Sequence, residues 1–249
     1  QIRIGDALEL LDSAAPADLI FVDLYTDVGP SSAHLAWRFL DAYLAARGDY
    51  AGLAVLRPYE VYRALVRTLV ARLRASQGGA AQGPDYLACA ERLAAPLGAR
   101  LLITYGLSGS GKSTAAAQLL QQGAVRLRSD VERKRLHGLA PLDDSAALGL
   151  DIYTSEASRR TFAQLAAQAR ALLAAGYPVI VDAAFLRRRE RDAFHALARE
   201  LGLPFAILHC HADPDRLRER VRQRRAAGGD PSEADLAVLA RQQQQAEPL

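Results

Sequence analysis

Apolar residues recur at two different periods along this chain, and the period changes with position. From Ala33 the steps are three and four. Leu35, Phe39, Leu40, Tyr43 and Leu44 fall on one helical face, and Gly48 supplies a stop. A second amphipathic stretch sets Val61, Leu65 and Leu69 in line, with Tyr62 and Val66 beside them and Arg63, Arg67 and Arg74 largely off the line. Ahead of both, Ile2 to Leu11 and Asp18 to Leu24 read as two short strands or as a strand and a helix. The run Ser76-Gln77-Gly78-Gly79-Ala80-Ala81-Gln82-Gly83-Pro84 interrupts every period, so the domain boundary is expected there.

Beyond a short helix (Tyr86 to Leu97), β-type runs alternate with helical ones. Arg100 to Tyr105, Ala124 to Arg128, Tyr177 to Asp182 and Phe205 to Cys210 read as strands. A glycine-rich turn follows the first and opens a helix that runs through Gln122. Between the second and third strands, Ser155 to Ala175 carries Phe162, Leu165, Ala169, Leu172 and Leu173 on one face and ends at Gly176. After the fourth, Asp213-Pro214 caps a helix with Leu217 and Val221 turned inward and Gly228-Gly229 as its end. Strands separated by helices predict an α/β fold, a three-layer parallel sheet, preceded by a mainly helical partial domain. The expected division is 1–76, a linker and short helix over 77–97, and 98–249. Gln242 to Gln245 is a biased tract with no assigned role.

Composition narrows the class. The 249 residues are 50% hydrophobic and 24% charged with a net charge of +3, values that allow a real core. No run of about 18 apolar residues exists to span a membrane. Cys89 and Cys210 lie far apart without CxxC spacing and read as buried apolar residues of a reducing, cytoplasmic compartment. With Gln1 first and no methionine, the sequence reads as part of a longer chain, clipped at both ends. Of its 31 basic residues only Lys112 and Lys134 are lysine.

One of those lysines carries the chemistry. Gly106-Leu107-Ser108-Gly109-Ser110-Gly111-Lys112-Ser113 matches GxxxxGK[ST] in full, between a strand and a helix as the motif requires. Its glycines let several backbone N–H groups converge on phosphate oxygens, and the following helix adds its positive end. Gly106, Ser108, Gly109, Ser110, Gly111, Lys112, Ser113 and Thr114 are thus the expected ATP-binding residues. Lys112 reaches the β and γ phosphates, and the Ser113 hydroxyl is a ligand for Mg²⁺. A compact ammonium suits this place better than a planar guanidinium.

Other residues bear on what happens to the nucleotide. No asparagine is present, so the Asn/Thr-Lys-x-Asp guanine reader of G proteins is excluded. Val179-Ile180-Val181-Asp182 ends a strand, and Asp182 is expected to steer the metal or to be a simple strand-end or helix-capping residue; Ala183-Ala184 follows where many ATPases set a water-activating glutamate. That favours transfer to a hydroxyl. Asp130, after the second strand, is expected at the same crevice as a proton acceptor, or as a simple helix cap. Arg133 one turn on would hold the acceptor. Arginines crowd Arg187-Arg188-Arg189 with Arg191, and Arg216, Arg218, Arg220, Arg222, Arg224 and Arg225. Most are expected on solvated faces, paired with Asp215 and Glu219. Arg220 or Arg224, leading into a flexible lid over Arg224 to Glu233, is the expected cation for the γ-phosphate. His209 and His211 point the same way on a strand and lack a third metal ligand nearby, so they read as a strand-end pair. His34, His137 and His195 show no partner pattern.

From Leu101 to Leu249 the chain resembles P-loop kinases of the polynucleotide kinase, zeta toxin and gluconate kinase group. The carriers are GLSGSGKST (106–114), SDVERKRLHG (129–138), IYTSEASRRTF (152–162), VIVDAAFLRRRERDAF (179–194) and RQRRAAGGDPSEADLAVLARQ (222–242). In polynucleotide-kinase-like relatives the D-x-x-R after the second strand supplies a general base and a substrate-binding arginine, which implies those roles for Asp130 and Arg133. GDALEL (5–10), DLIFVDLYTD (18–27) and LAWRFLDAYLAARGDYAGL (35–53) are similar to the end of a bacterial aminoglycoside-phosphotransferase-like domain, implying Asp6 as a former or actual metal ligand. That family's H-G-D-x-x-x-x-N loop is missing, so this half is not catalytic by that route. GDALELLDS with DLIFVD also resembles the middle of a methyltransferase-like Rossmann sheet. The expectation is an ATP- and Mg²⁺-dependent phosphotransferase acting on a hydroxyl of a small molecule or nucleotide. Its rivals are an ATP-driven regulatory switch and a nucleic-acid 5′-hydroxyl kinase.

Overall fold

Strands that read as unbroken apolar runs need both faces covered, and the second half of the chain provides this. The computed structural model describes residues 30–79, 84–120 and 123–249, with side chains from residue 36 onward. Strands β1 (Leu101–Tyr105), β2 (Val125–Arg128), β3 (Val179–Asp182) and β4 (Phe205–His209) form one parallel sheet in the order β2-β3-β1-β4. Register pairs Ile103 with both Val181 and Ile207, and Arg128 with Asp182. All four residues of the central β3 are buried, whereas β4, at the edge, is only partly covered. Asp6, and the strands expected within residues 1–29, lie outside the described residues.

Helices of the second half supply the covering layers. In the first half lie α1 (Pro30–Arg47), α2 (Leu53–Ser76) and α3 (Tyr86–Ala94). In the second lie α4 (Lys112–Leu119), α5 (Ser129–Leu136), α6 (Ser155–Ala174), α7 (Arg188–Glu200), α8 (Pro214–Ala227) and α9 (Leu236–Gln245). The face expected for α6 is buried at Leu165, Ala169, Leu172 and Leu173. Phe162, Phe185 and Phe194 meet edge to face, with ring centroids 5.0 to 6.5 Å apart. After β1 the chain moves toward β2, while after β3 it moves toward β4. Loops leaving two adjacent strands in opposite directions open a crevice at their carboxyl ends. Buried Thr104 braces that edge, donating to Ala183 O at 2.6 Å and accepting from Ala183 N at 3.1 Å.

The chain divides into two compact units, Gln1–Ala95 and Pro96–Leu249. In the first, α3 packs on α2 rather than standing apart in a linker. Asp85 caps α3 by accepting from Ala88 N at 3.0 Å. Arg57 donates to Leu93 O and to Ala95 O, and the Arg67 guanidinium lies 5.5 Å from the Tyr86 ring centroid. This seat fixes which side of α2 is covered. Leu53 and Ala64 are buried, while Leu65 and Leu69 of the expected apolar line stay 46% and 59% exposed. Two smaller expectations also shift. Asp213 stands at the N-cap of α8 without a side-chain cap bond, its carbonyl alone accepting from Leu217 N. Cys210 is half-buried where Cys89 is buried, and both are free thiols. No helix among the described residues is long and apolar enough to cross a membrane.

Burial pushes the Glu60 carboxyl on α2 up to about 7, against the opposing pull of Arg57. Between the ordinary carboxylate range and about 7 the folded chain keeps a proton that the unfolded chain has released, so stability falls as pH rises through that interval. Thermal melts are expected to drop between pH 5 and pH 8, and Glu60→Gln should flatten that slope. An equal slope in the variant would show that other groups set it.

Candidate active site

Between β1 and α4 the backbone is squeezed from behind. A Cβ on Gly106, which sits at φ 148°, would stand 2.2 Å from Cys210 O. One on Gly109, at φ 84°, would stand 2.8 Å from Leu217 O. Only glycine allows that approach together with those dihedrals. Leu107 packs against the cluster of Leu217, Val221 and Leu239, so the loop rests on α8 and α9. Lys112 Nζ donates to Leu107 O at 2.8 Å, and Ser108 N donates to Gln242 Oε1 at 2.8 Å. Burial lowers the Lys112 pKa, while the charges of Asp182 and Asp130 pull it back up. Ser110 Oγ is buried without a hydrogen-bond partner.

Across the crevice, Asp182 ends β3 with 5% exposure. The Ser113 hydroxyl hydrogen-bonds its carboxylate, Arg128 Nε lies 3.6 Å from Oδ2, and Oδ2 itself has no hydrogen-bond partner. Desolvation raises the Asp182 pKa, with Arg128 the largest opposing influence. A buried carboxylate oxygen left orphaned beside a hydroxyl fits a hard divalent cation. Among the described residues no cluster of three or more His, Cys, Asp or Glu could hold a metal. Mg²⁺ here would accordingly draw its remaining ligands from phosphate and water, as that ion commonly does.

Asp130 lies in the first turn of α5, where Arg128 holds the N-cap position, and it lines the same cleft of about 1400 Å³ as Lys112. Arg133 is buried on that wall. Its Nη1 donates to Ile152 O at 3.1 Å and to Ser158 Oγ at 3.2 Å, its guanidinium lies 5.2 Å from the Tyr153 ring centroid, and its Nε is unpartnered. Burial, with the charge of Asp130, raises the Tyr153 hydroxyl pKa.

Arg220 and Arg224 both line the cleft. The first donates from Nη1 to Gly109 O at 3.2 Å and the second from Nη2 to Ala234 O at 2.8 Å. The segment expected as a lid is tied down at two points. Asp230 Oδ1 lies 3.4 Å from Arg128 Nη2, and Glu233 accepts from Lys134 Nζ at 2.9 Å, from Ser145 N at 2.9 Å and from the Ser145 hydroxyl. Lys134 Nζ also donates to Pro141 O at 3.0 Å and Asp143 O at 2.6 Å. Arg128, Lys134, Glu233 and Gln242 escape sequence reasoning. The one available signal was a second lysine in a chain otherwise rich in arginine.

Of the arginine clusters, Arg187 and Arg189 line the cleft. Arg191 is buried, donating from Nη1 to Phe185 O and Leu186 O and from Nη2 to Pro248 O at 2.5 Å. Arg218 pairs with Asp215 at 2.7 Å as expected, but Glu219 accepts from Gln223 rather than from an arginine. The His209 and His211 rings stand 6.2 Å apart, and His209 meets Tyr105 edge-on. Thr114 is exposed at the cleft rim.

Residues 101–249 match the family model described as an AAA domain. The chain is 28% identical over 251 residues to uncharacterized proteins of Mycobacterium bovis and Mycobacterium tuberculosis, covering 97% of itself and 49% of each. It therefore spans about half the length of the curated relatives it matches. Among solved structures it is similar to the Pnkp1/Rnl/Hen1 RNA repair complex (TM-score 0.47, 20% identity, 59% of this chain and 43% of that one). It is similar to a gluconokinase from Sinorhizobium meliloti 1021 (TM-score 0.43, 20% identity, 62% and 78%). A third likeness is to the Mycobacterium tuberculosis APS kinase CysC in complex with AMPPNP and APS (TM-score 0.40, 24% identity, 52% and 72%). Nothing in these matches supports the aminoglycoside-phosphotransferase-like resemblance of residues 1–76.

Replacing Asp182 by Asn removes a desolvated charge while keeping its shape, and Arg128 retains Asp230 as a partner. The variant is expected to melt at or above the parent temperature without Mg²⁺. In titration calorimetry it should lose the Mg²⁺-dependent part of ATP affinity, about tenfold or more. Unchanged Mg²⁺ dependence would remove Asp182 from the metal site.

Proposed function

From residue 101 to 249 the chain belongs to the AAA domain family, and on that premise we propose that it is an ATP- and Mg²⁺-dependent phosphotransferase with a hydroxyl acceptor. The observation that carries this reading is the sharing of one cleft by the Lys112 loop and Asp130, with Ala183-Ala184 rather than a carboxylate following Asp182. A base near the phosphates but away from the metal-side aspartate suits a substrate hydroxyl better than water.

In this reading Lys112 and the loop amides hold the triphosphate, and Ser113 and Asp182 hold Mg²⁺, which neutralises phosphate charge when bound. Asp130 accepts the proton of the acceptor hydroxyl as its oxygen bonds to the γ-phosphorus. The bond to the β–γ bridging oxygen breaks, and ADP departs. Arg133, anchored at the start of α6, holds the acceptor. Arg220 and Arg224 spread their charge over the moving phosphoryl group. Arg187 and Arg189 on the same cleft keep a nucleotide or a nucleic-acid 5′ end within the acceptor class, as alternatives to an uncharged small molecule.

Labelled ATP incubated with a panel of sugars, sugar acids, nucleosides and 5′-hydroxyl oligonucleotides is expected to mark one acceptor class. Lys112→Ala should abolish transfer, and Asp130→Asn should slow it by roughly 10²–10⁴. Hydrolysis indifferent to every acceptor and to Asp130→Asn would instead identify an ATP-driven switch.

A further inference from the structure

The glutamine tract at the end of α9 reaches the phosphate loop. Asp235 caps α9, accepting from Val238 N at 2.8 Å, and Leu239 packs against Leu217 and Val221 of α8 together with Leu107 of the loop. That seat carries Gln242 to the loop backbone, where Oε1 accepts from Ser108 N at 2.8 Å. The carbonyl of the same peptide unit, Leu107 O, accepts from Lys112 Nζ at 2.8 Å and from Ser110 N at 3.1 Å. One peptide plane is thus held at both polar ends, by the phosphate-binding cation on one side and by Gln242 on the other.

In a trans peptide the N–H and C=O point in opposite directions, so fixing one end sets the angle of the other. An ammonium has three donors. With one spent on Leu107 O, the directions of the remaining two follow from the orientation of that carbonyl. Gln242 lines the cleft along with Arg241 and Gln245, and α9 contributes no carboxylate to that wall. A carboxamide supplies the acceptor that Ser108 needs without adding negative charge beside a polyanion.

We infer that Gln242 is a positioning residue of the transfer site: it fixes the Leu107–Ser108 peptide and, through it, aims Lys112 at the triphosphate. The inference rests on the phosphotransferase reading and extends it to a helix outside the phosphate-loop motif. Gln242 acts through Lys112 and is not itself a catalytic residue.

The test is a double-mutant cycle on MgATP binding by the full chain, with Gln242→Leu, Lys112→Ala, the pair combined, and Gln243→Leu as an exposed neighbour outside the cleft. Thermal melts verify folding. Should the leucine variant fail to fold, Gln242→Asn, one methylene too short to reach, takes its place. Expected are about a tenfold rise in Kd for Gln242→Leu, little change for Gln243→Leu, and no further loss when Gln242→Leu is added to Lys112→Ala. Additive losses, or parental affinity in Gln242→Leu, would overturn the inference while leaving the proposed function intact. A parent chain that binds no MgATP would overturn both.

Discussion

The space behind the phosphate loop leaves no room for a side chain at Gly106 or Gly109, and much of the surrounding architecture answers to that fit. The loop is pressed against Cys210 O and Leu217 O, at the end of β4 and within α8. Its rear is therefore solid protein, and the loop lines the cleft on its other side. The β2-β3-β1-β4 order then places the end of β3 beside it, so that Asp182 and Ser113 meet. Arg220 reaches Gly109 O from α8, the same helix that closes the rear.

Single cations serve as ties between elements on the opposite wall. Arg128 at the end of β2 lies between Asp182 and Asp230, so the carboxylate at the end of β3 and the segment after α8 answer to one guanidinium. Lys134 joins α5 to the 137–151 stretch and to Glu233. Lys134 itself is buried, so removing Glu233 would leave its charge desolvated. The segment expected as a free lid is held in this conformation by those ties, with Glu233 bonded on three sides.

Much of this was legible in the sequence wherever the signal was local. The four strands follow from short apolar runs, the phosphate loop from a contiguous motif, and α6 from a clean helical period. Partnerships between distant residues left no such trace. The peptide grip by Gln242 joins positions 134 residues apart in the chain, and nothing in a polyglutamine tract announces it. Arg191 sits in a basic run that looks solvated, yet it lies buried among the carbonyls of Phe185, Leu186 and Pro248. The exposure of Leu65 and Leu69 depends on which side of α2 its neighbour chooses, and a helical period alone does not decide that.

Lys134 carries a consequence for how this chain can vary. Three oxygens, from Pro141, Asp143 and Glu233, converge on one nitrogen. A guanidinium spreads its donors across a plane and cannot gather three of them at a point. Arginine fills nearly every other cationic position here, and lysine stands where coordination number matters more than charge. Both lysines occupy places where the shape of the cation, and not its sign alone, meets the surrounding oxygens.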